Sequence, residues 1–402
     1  MGKEEKGLNN FFEEYLKHNP IFVNKSILHW NYTPDKILHR EKQITEIAKI
    51  LAPSLKLEKP SNLFIYGVTG TGKTCIVKYV TQEMEEIAKK KNLNLKIVYI
   101  NCKYQRVADT EYRLIAEIIK SLGGMIATTG LPTKDVYDTF VRILEEQKTL
   151  LILVMDEIDH VVEKMGDGML YTLTRVNDQL KESKVSIIGI TNDLNFISRL
   201  GPRVQSSLSE EEMMFPPYDA IQLKEILEQR AKIGFKKDAL EEGLISKCAA
   251  LAAKEHGDAR RALELLRVAG ELAEREGKNL VTMEDVDTAQ EKIDRDNILE
   301  AVKTSPKQHQ IILQSILQLK KQNSKEEILT GQVYEVYKTV GIKYGIGILT
   351  TRRVSEIISQ LSMQGIIQTK LVNKGRYGRS REICVNLSSS TVEEIGKILP
   401  LG

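Results

Sequence analysis

Four short apolar runs mark the first half of the chain: Asn62-Leu63-Phe64-Ile65-Tyr66, Lys96-Ile97-Val98-Tyr99-Ile100, Leu150 to Met155, and Val185 to Ile190. Each ends at a polar turn, and helical stretches lie between them. Continuous β-branched runs separated by helices predict a parallel sheet covered on both faces. From about residue 216 to 295 the pattern changes. Apolar positions recur near every 3.6 residues through Ala220 to Ile233, Leu240 to Glu255, Asp258 to Arg275 and Met283 to Asp296, which predicts helices throughout. Pro216-Pro217 marks the boundary. A third pattern begins after Thr304-Ser305-Pro306. It predicts helices at Pro306 to Lys321, Gly331 to Lys343 and Thr351 to Gln364, then strands at Ile366 to Val372 and Glu382 to Leu387. Three helices and a hairpin make a winged helix-turn-helix. The expected layout is a flexible N-terminus over 1–20, an α/β parallel-sheet domain over 21–215, an all-helical domain over 216–298 and a winged helix over 299–402.

Length agrees with this division, because 402 residues exceed one compact core. The composition, 42% hydrophobic and 28% charged, is that of an ordinary globular protein. No apolar stretch approaches the roughly 18 to 20 residues that span a bilayer. Met1 to Asn10 is polar and lacks the apolar core of a secretory signal, so a cytoplasmic setting without membrane partners is expected. Cys75, Cys102, Cys248 and Cys384 lie far apart without metal-ligand spacing and are expected to be buried, reduced thiols. The net charge of +3 becomes informative once divided. Residues 301–402 carry 15 Lys or Arg against 7 Glu, or +8, and the remainder carries −5. A basic C-terminal third predicts a polyanion-binding module there.

The chemistry is concentrated in the α/β part. Gly67-Val68-Thr69-Gly70-Thr71-Gly72-Lys73-Thr74 fits G-x-x-x-x-G-K-[ST] at every fixed position, between an apolar strand and a helix expected from Cys75. Glycines let backbone amides approach phosphate oxygens, and the helix N-terminus adds partial positive charge. Lys73 would reach the β- and γ-phosphates of ATP, Thr74 would coordinate Mg2+, and Cys75 closes the nucleotide-binding set. Leu150 to Met155 runs into Asp156-Glu157, with Asp156 expected to hold magnesium and Glu157 to activate water. Asn192, after Ile188-Gly189-Ile190-Thr191, would orient that water or touch the γ-phosphate. Arg203 is the expected arginine finger toward a neighbouring subunit. In Gly257-Asp258-Ala259-Arg260-Arg261, Asp258 would cap a helix and Arg260, ahead of Arg261, would reach the phosphates. These parts describe an AAA+ ATPase.

Together with the winged helix they resemble one family, the archaeal replication initiators, similar to the largest subunit of the eukaryotic origin recognition complex and its helicase-loading partner. The resemblance runs from about Ile21. It is carried by Leu28, Tyr32-Thr33-Pro34, Arg40-Glu41, Asn101-Cys102, Tyr112-Arg113-Leu114, Thr129-Gly130-Leu131-Pro132, Pro202 to Leu208, Gly257 to Leu263 and the wing Gly375-Arg376-Tyr377-Gly378-Arg379. It implies binding to origin duplex DNA, recruitment of the replicative helicase, association with other AAA+ initiator subunits, a nucleoid location, and a slow ATPase that retains ADP. It also implies an initiator-specific insertion from Asp109 to about Phe140, where Thr129, Gly130 and Lys134 would meet DNA.

In the winged helix, Val354, Ile357, Ile358 and Leu361 form the expected buried stripe of the third helix. Thr351, Arg352, Arg353, Ser355 and Glu356 then lie near its exposed N-terminal end, where such helices meet base edges or phosphates. The wing offers Lys374, Arg376, Arg379 and Arg381, with Gly375 and Tyr377 among them, in a form suited to a minor groove. Two other readings stand beside this one: a signalling ATPase whose winged helix binds no DNA, and an ATPase like a clamp loader or transposition helper.

Overall fold

The computed structural model describes residues 20–30, 32–103, 109–127, 130–208, 210–322, 328–373 and 379–399. They form two compact units that divide between Val286 and Asp287.

The first unit is built on five parallel strands: β1 (Asn62–Tyr66), β2 (Leu95–Asn101), β3 (Leu150–Asp156), β4 (Lys184–Thr191) and β5 (Glu210–Met214), in the order β2-β3-β4-β1-β5. Every residue of β3 is buried, because helices cover both faces. Leu151, Leu153 and Met155 face one layer with Phe64, Leu114, Ile118 and Phe140. Leu150, Ile152 and Val154 face the other with Ile76, Val77 and Val80 of the helix Lys73–Lys90. The two-residue period sends neighbours to opposite layers, and both layers are apolar and buried. Gly189 sits within β4 where an added Cβ would lie 2.6 Å from the Phe64 ring. Register aligns Tyr66 with Thr191 and Asp156 with Ile190. The loops after β1, β3 and β4 therefore leave the same edge of the sheet side by side, where α/β sheets place their ligands.

Strand β5 was not among the expected strands. Its residues, Glu210-Glu211-Glu212-Met213-Met214, have no apolar run, and only Met213 is buried. Pairing with β1 makes it a strand. It lies at one edge of the sheet among the described residues.

After Pro216-Pro217 come the helices Ala220–Gly234, Leu244–Lys254 and Ala259–Arg275, here called the lid. Asp219 opens the first with a capping box to Gln222. Asp258 caps the third, accepting from the Arg260 amide at 2.7 Å. The segment from residue 20 onward packs on this lid. Gly234 O accepts from the Val23 and Asn24 amides, and Ile21 O accepts from the Lys236 amide. Phe22 lies 4.7 Å from the Phe235 ring. The helix Glu41–Leu51 then buries Ile47 and Leu51 against the sheet layer.

The helix Met283–Thr304 runs beyond its expected end at Asp296, because Ile298, Leu299 and Val302 keep an apolar face packed. The second unit continues with helices Lys307–Gln322, Thr330–Lys343, Thr351–Met363 and Ser389–Ile398, and an antiparallel sheet of β6 (Ile328–Leu329), β7 (Gln368–Asn373) and β8 (Arg379–Cys384) in the order β6-β8-β7. β6 and the last helix were not expected. A two-residue strand carries no periodicity of its own. β8 both starts and ends three residues before the expected strand, since it pairs with β7 from Asn373↔Arg379 to Gln368↔Cys384. Tyr337 is buried at the centre, donating to Gln308 at 2.6 Å and accepting from the Leu349 amide at 3.1 Å.

Among the described residues no helix is long and apolar enough to cross a membrane. All four cysteines are free thiols. Cys102 and Cys248 are buried as expected, whereas Cys75 is half-buried and Cys384 exposed, the latter at the end of a strand with one solvent-facing side.

Candidate functional site

The phosphate loop leaves β1 and turns into the helix Lys73–Lys90. Gly70 and Gly72 hold left-handed backbone angles, φ +74° and +92°. Gly70 also lies so close to Asp258 that an added Cβ would collide with its carboxylate. Gly72 has no side chain to cap the helix, which leaves its first-turn amides to an anion. Thr71 ties the loop to itself through Val68 O at 2.9 Å, and Thr69 is exposed. Lys73 is only 6% exposed. Its ammonium donates to Gly67 O at 2.6 Å, Val68 O at 2.9 Å and Asn192 Oδ1 at 2.9 Å. Burial, followed by the charge of Arg260, pushes Lys73 down to about 8 against the opposing pull of Asp156, Asp258 and Asp159.

Asp156 ends β3 beneath this loop. Its Oδ2 accepts from Thr74 Oγ1 at 2.9 Å and from the Tyr99 hydroxyl, while Oδ1 accepts from the Glu157 amide at 3.1 Å. Burial and the neighbouring carboxylate push the Tyr99 phenol well above its usual range. A hydroxyl and a carboxylate converging in this way match the hard oxygen ligands magnesium prefers, with phosphate and water to complete the shell. Among the described residues no cluster of three or more His, Cys, Asp or Glu could hold a metal ion by itself. Glu157 adopts φ +55°, and its carboxylate lies 3.5 Å from Lys103 and 3.8 Å from His160.

Two adjoining spaces share Gly70, Gly72, Thr74 and Arg260. One, of about 30 Å³, is polar and lies against Lys73, Asp156, Glu157 and Asn192. The other, of about 200 Å³, is walled by Tyr32, Pro34, Ile37, Ile226 and Leu263, with Cys75 at its floor. A ligand with a flat apolar head and a polyanionic tail fits the pair. Arg260 is exposed at their junction, 5.5 Å over the Trp30 ring, whereas Arg261 is buried and paired with Glu255 at 2.9 Å. Asn192 is thus joined to the loop through Lys73. Arg203 stands apart, exposed on the helix Pro202–Leu208. Sequence reading missed Tyr99, Tyr218 and Trp30 as site residues and gave Arg40 no role. Tyr99, half-buried on β2 opposite Val154, two residues before Asp156, carried no motif that pointed to it.

In the second unit the helix Thr351–Met363 buries Val354, Ile357, Ile358 and Leu361 and exposes Thr351, Arg352 and Arg353, with Ser355 half-buried. Glu356 lies 3.4 Å from Arg352 and 2.8 Å from Arg353. The hydrogen bond from Arg353 holds its carboxyl below the usual range. Arg381 is not at the wing tip. It sits within β8, and its guanidinium donates to Ser355 O at 3.0 Å and to the Ser359 hydroxyl, bracing the helix. Arg379 also falls within β8, opposite Asn373. Lys374, Gly375, Arg376 and Tyr377 lie outside the described residues, as does Thr129. Gly130 is exposed at φ +100°, and Lys134 is exposed in the first turn of Thr133–Gln147.

Three families match the chain in order: an AAA domain over residues 57–197, the Cdc6 AAA+ ATPase-type lid domain over 224–291, and the CDC6 C-terminal winged helix domain over 300–395. The ORC1-type DNA replication protein of Pyrococcus abyssi is 48% identical over 396 residues, covering 98% of this chain and 94% of its own length. That of Thermococcus kodakarensis is 48% identical over 392 residues, covering 96% and 94%. The Aeropyrum pernix ORC1 protein, solved in complex with DNA, superposes with a TM-score of 0.81 at 42% identity, covering 94% of this chain and 97% of that one. Such identity over nearly the whole length leaves one conclusion: the chain belongs to the ORC1-type DNA replication proteins, replication initiators with an AAA+ domain, a Cdc6 lid and a C-terminal winged helix.

Proposed function

We propose that the chain binds origin duplex DNA in an ATP-dependent manner and helps recruit the replicative helicase. The convergence of Lys73, Thr74, Asp156 and Asn192 at the ends of adjacent parallel strands carries the nucleotide part of this assignment. We assign the base to 21–215, the lid to 216–298 and the DNA-binding module to 299–402. Loop amides from Gly67 to Cys75 hold the phosphates, and Lys73 neutralises them. Thr74 and Asp156 would hold magnesium, which when bound would supply Lewis-acid neutralisation of phosphate charge. Glu157 takes a proton from the water whose oxygen bonds to the γ-phosphorus, as the bond from that phosphorus to the bridging oxygen breaks and ADP retains that oxygen. Asn192 orients the water, and Arg260 brings the lid onto the phosphates. Arg203 serves a neighbouring AAA+ subunit. Hydrolysis is slow and regulatory, with ADP retained.

Thr351, Arg352, Arg353 and Ser355 face the DNA groove, and Arg381 supports them. The wing from Lys374 to Arg379 grips the flanking duplex, with Gly130 and Lys134 as a second contact. The DNA in the Aeropyrum relative and the local +8 charge support this reading. The working location is the cytoplasmic nucleoid. Filter binding with cognate and scrambled duplexes, with and without ATP and magnesium, tests it. Retention favouring the cognate duplex is expected. Equal retention of both removes the origin assignment, and no retention of either leaves a signalling ATPase.

A further inference from the structure

Arg40 is 2% exposed, and no carboxylate among the described residues pairs with it. Its Nε donates to Thr71 O at 3.1 Å, inside the phosphate loop, and its Nη2 donates to Pro216 O at 2.5 Å, in the connection between sheet and lid. The guanidinium lies 3.8 Å over the Tyr218 ring, and burial lowers its pKa. A buried cation held by carbonyls and the Tyr218 side chain, with no carboxylate partner among the described residues, is costly, so its position calls for an explanation.

The surroundings supply one. Phe215 N donates to Tyr66 O at 2.8 Å, so the connection starts fixed to β1. Tyr218 N donates to Gly257 O at 3.3 Å, and Ala259 N to Gly70 O at 3.2 Å. The Tyr218 hydroxyl lies 2.9 Å from where a Cβ on Gly72 would be. The preceding residue, His39, meets Glu225 of the lid helix Ala220–Gly234 at 3.0 Å. One fork thus joins the loop that surrounds the phosphates to the three-residue joint that sets where the Asp258-capped helix, and with it Arg260, stands.

We infer that Arg40 is a positioning residue that couples the occupancy of the phosphate loop to the angle of the lid, so that the chain distinguishes a nucleoside triphosphate from a diphosphate. This rests on the nucleotide reading above. A γ-phosphate shifts the loop carbonyls, Arg40 carries the shift to Pro216, and the lid follows.

The test uses the full chain, ADP and a non-hydrolysable ATP analogue, with two variants. Arg40→Lys keeps the charge but has no planar fork to bridge two carbonyls. Tyr218→Leu removes the ring beneath the guanidinium and leaves both carbonyls. Calorimetry gives the affinity ratio of the two nucleotides. Trp30, the chain's one tryptophan, stands on the N-terminal segment over Arg260 and reports the lid by fluorescence. In Arg40→Lys, ADP binding is expected to persist, while the affinity ratio moves toward unity by about fivefold or more, the low end of ordinary coupling. The difference in Trp30 fluorescence between the two nucleotides shrinks with it, and Tyr218→Leu changes both in the same direction. A variant with a lowered melting temperature but the wild-type ratio and fluorescence difference overturns the inference and leaves Arg40 a structural brace. Loss of folding in both variants overturns it as well. Wild-type chain that binds neither nucleotide removes the nucleotide reading itself, a distinct result.

Discussion

The two sets of arginines and lysines in this molecule are held in opposite ways. At the end of the phosphate loop, Lys73 is buried with its ammonium donating to the Gly67 and Val68 carbonyls of that loop and to the Asn192 amide oxygen beyond β4. On the helix Thr351–Met363, Arg352 stands with its side chain 92% exposed and pairs with Glu356, four residues on. A small polyanion demands a fixed cradle, since each ångström of misplacement costs charge-assisted bonds. A duplex presents a repeating charge, and long exposed side chains adapt to it, provided that an acid keeps them from collapsing elsewhere.

The contrast can be broken from its rigid side first. Glu157→Gln should leave ATP bound and slow single-turnover hydrolysis by roughly 10² to 10⁴, the usual worth of a positioned base. Wild-type turnover in that variant would remove Glu157 from the chemistry. Lys73→Ala should weaken ATP by about 10²-fold or more in calorimetry, since bonds to charged groups are worth about 1.5 to 3 kcal/mol each. Its melting temperature should change little, because the buried ammonium is costly in the absence of phosphate.

On the adaptable side the effects shrink. Arg352→Ala and Arg353→Ala should cost about 1 to 3 kcal/mol on cognate DNA if they read a base edge, and much less on scrambled duplex. Equal loss on both duplexes across a salt series would mean phosphate contact alone. Glu356→Gln releases both arginines. A few-fold gain in affinity for any duplex is expected, with a steeper salt dependence. A loss instead would show that Glu356 aims the arginines rather than restrains them. The smallest effect belongs to Arg203→Ala. The basal hydrolysis rate of dilute monomer should stay the same, and only stimulation by a partner AAA+ subunit should fall.

Legibility in the sequence follows the same division. The loop Gly67 to Thr74 and the pair Asp156-Glu157 were legible because phosphate chemistry fixes residue types at fixed spacing, and β3 because a strand buried on both faces is uniformly apolar. Arg40 was quoted only as part of a motif. Its partners Thr71 and Pro216 lie 31 and 176 residues away, a distance at which spacing says nothing. Tyr99 looked like any aromatic in a strand; register sets it opposite Val154, from where its hydroxyl reaches the Asp156 carboxylate two residues on. Arg381 read as one more wing cation, because the sequence does not tell which face of a hairpin strand meets the neighbouring helix. β5 stayed hidden because its only instruction to form a strand is the partner it pairs with.

That strand has one more consequence. An edge strand carries unsatisfied amides and carbonyls that invite another chain to extend the sheet. On β5 the residues that would greet such a chain are Glu210, Glu211 and Glu212, with the Glu212 carboxylate anchored by the Tyr66 hydroxyl. Two copies approaching edge to edge would set carboxylates against carboxylates. Wherever copies of the chain are concentrated, these three acids act as a guard against aggregation through the sheet edge.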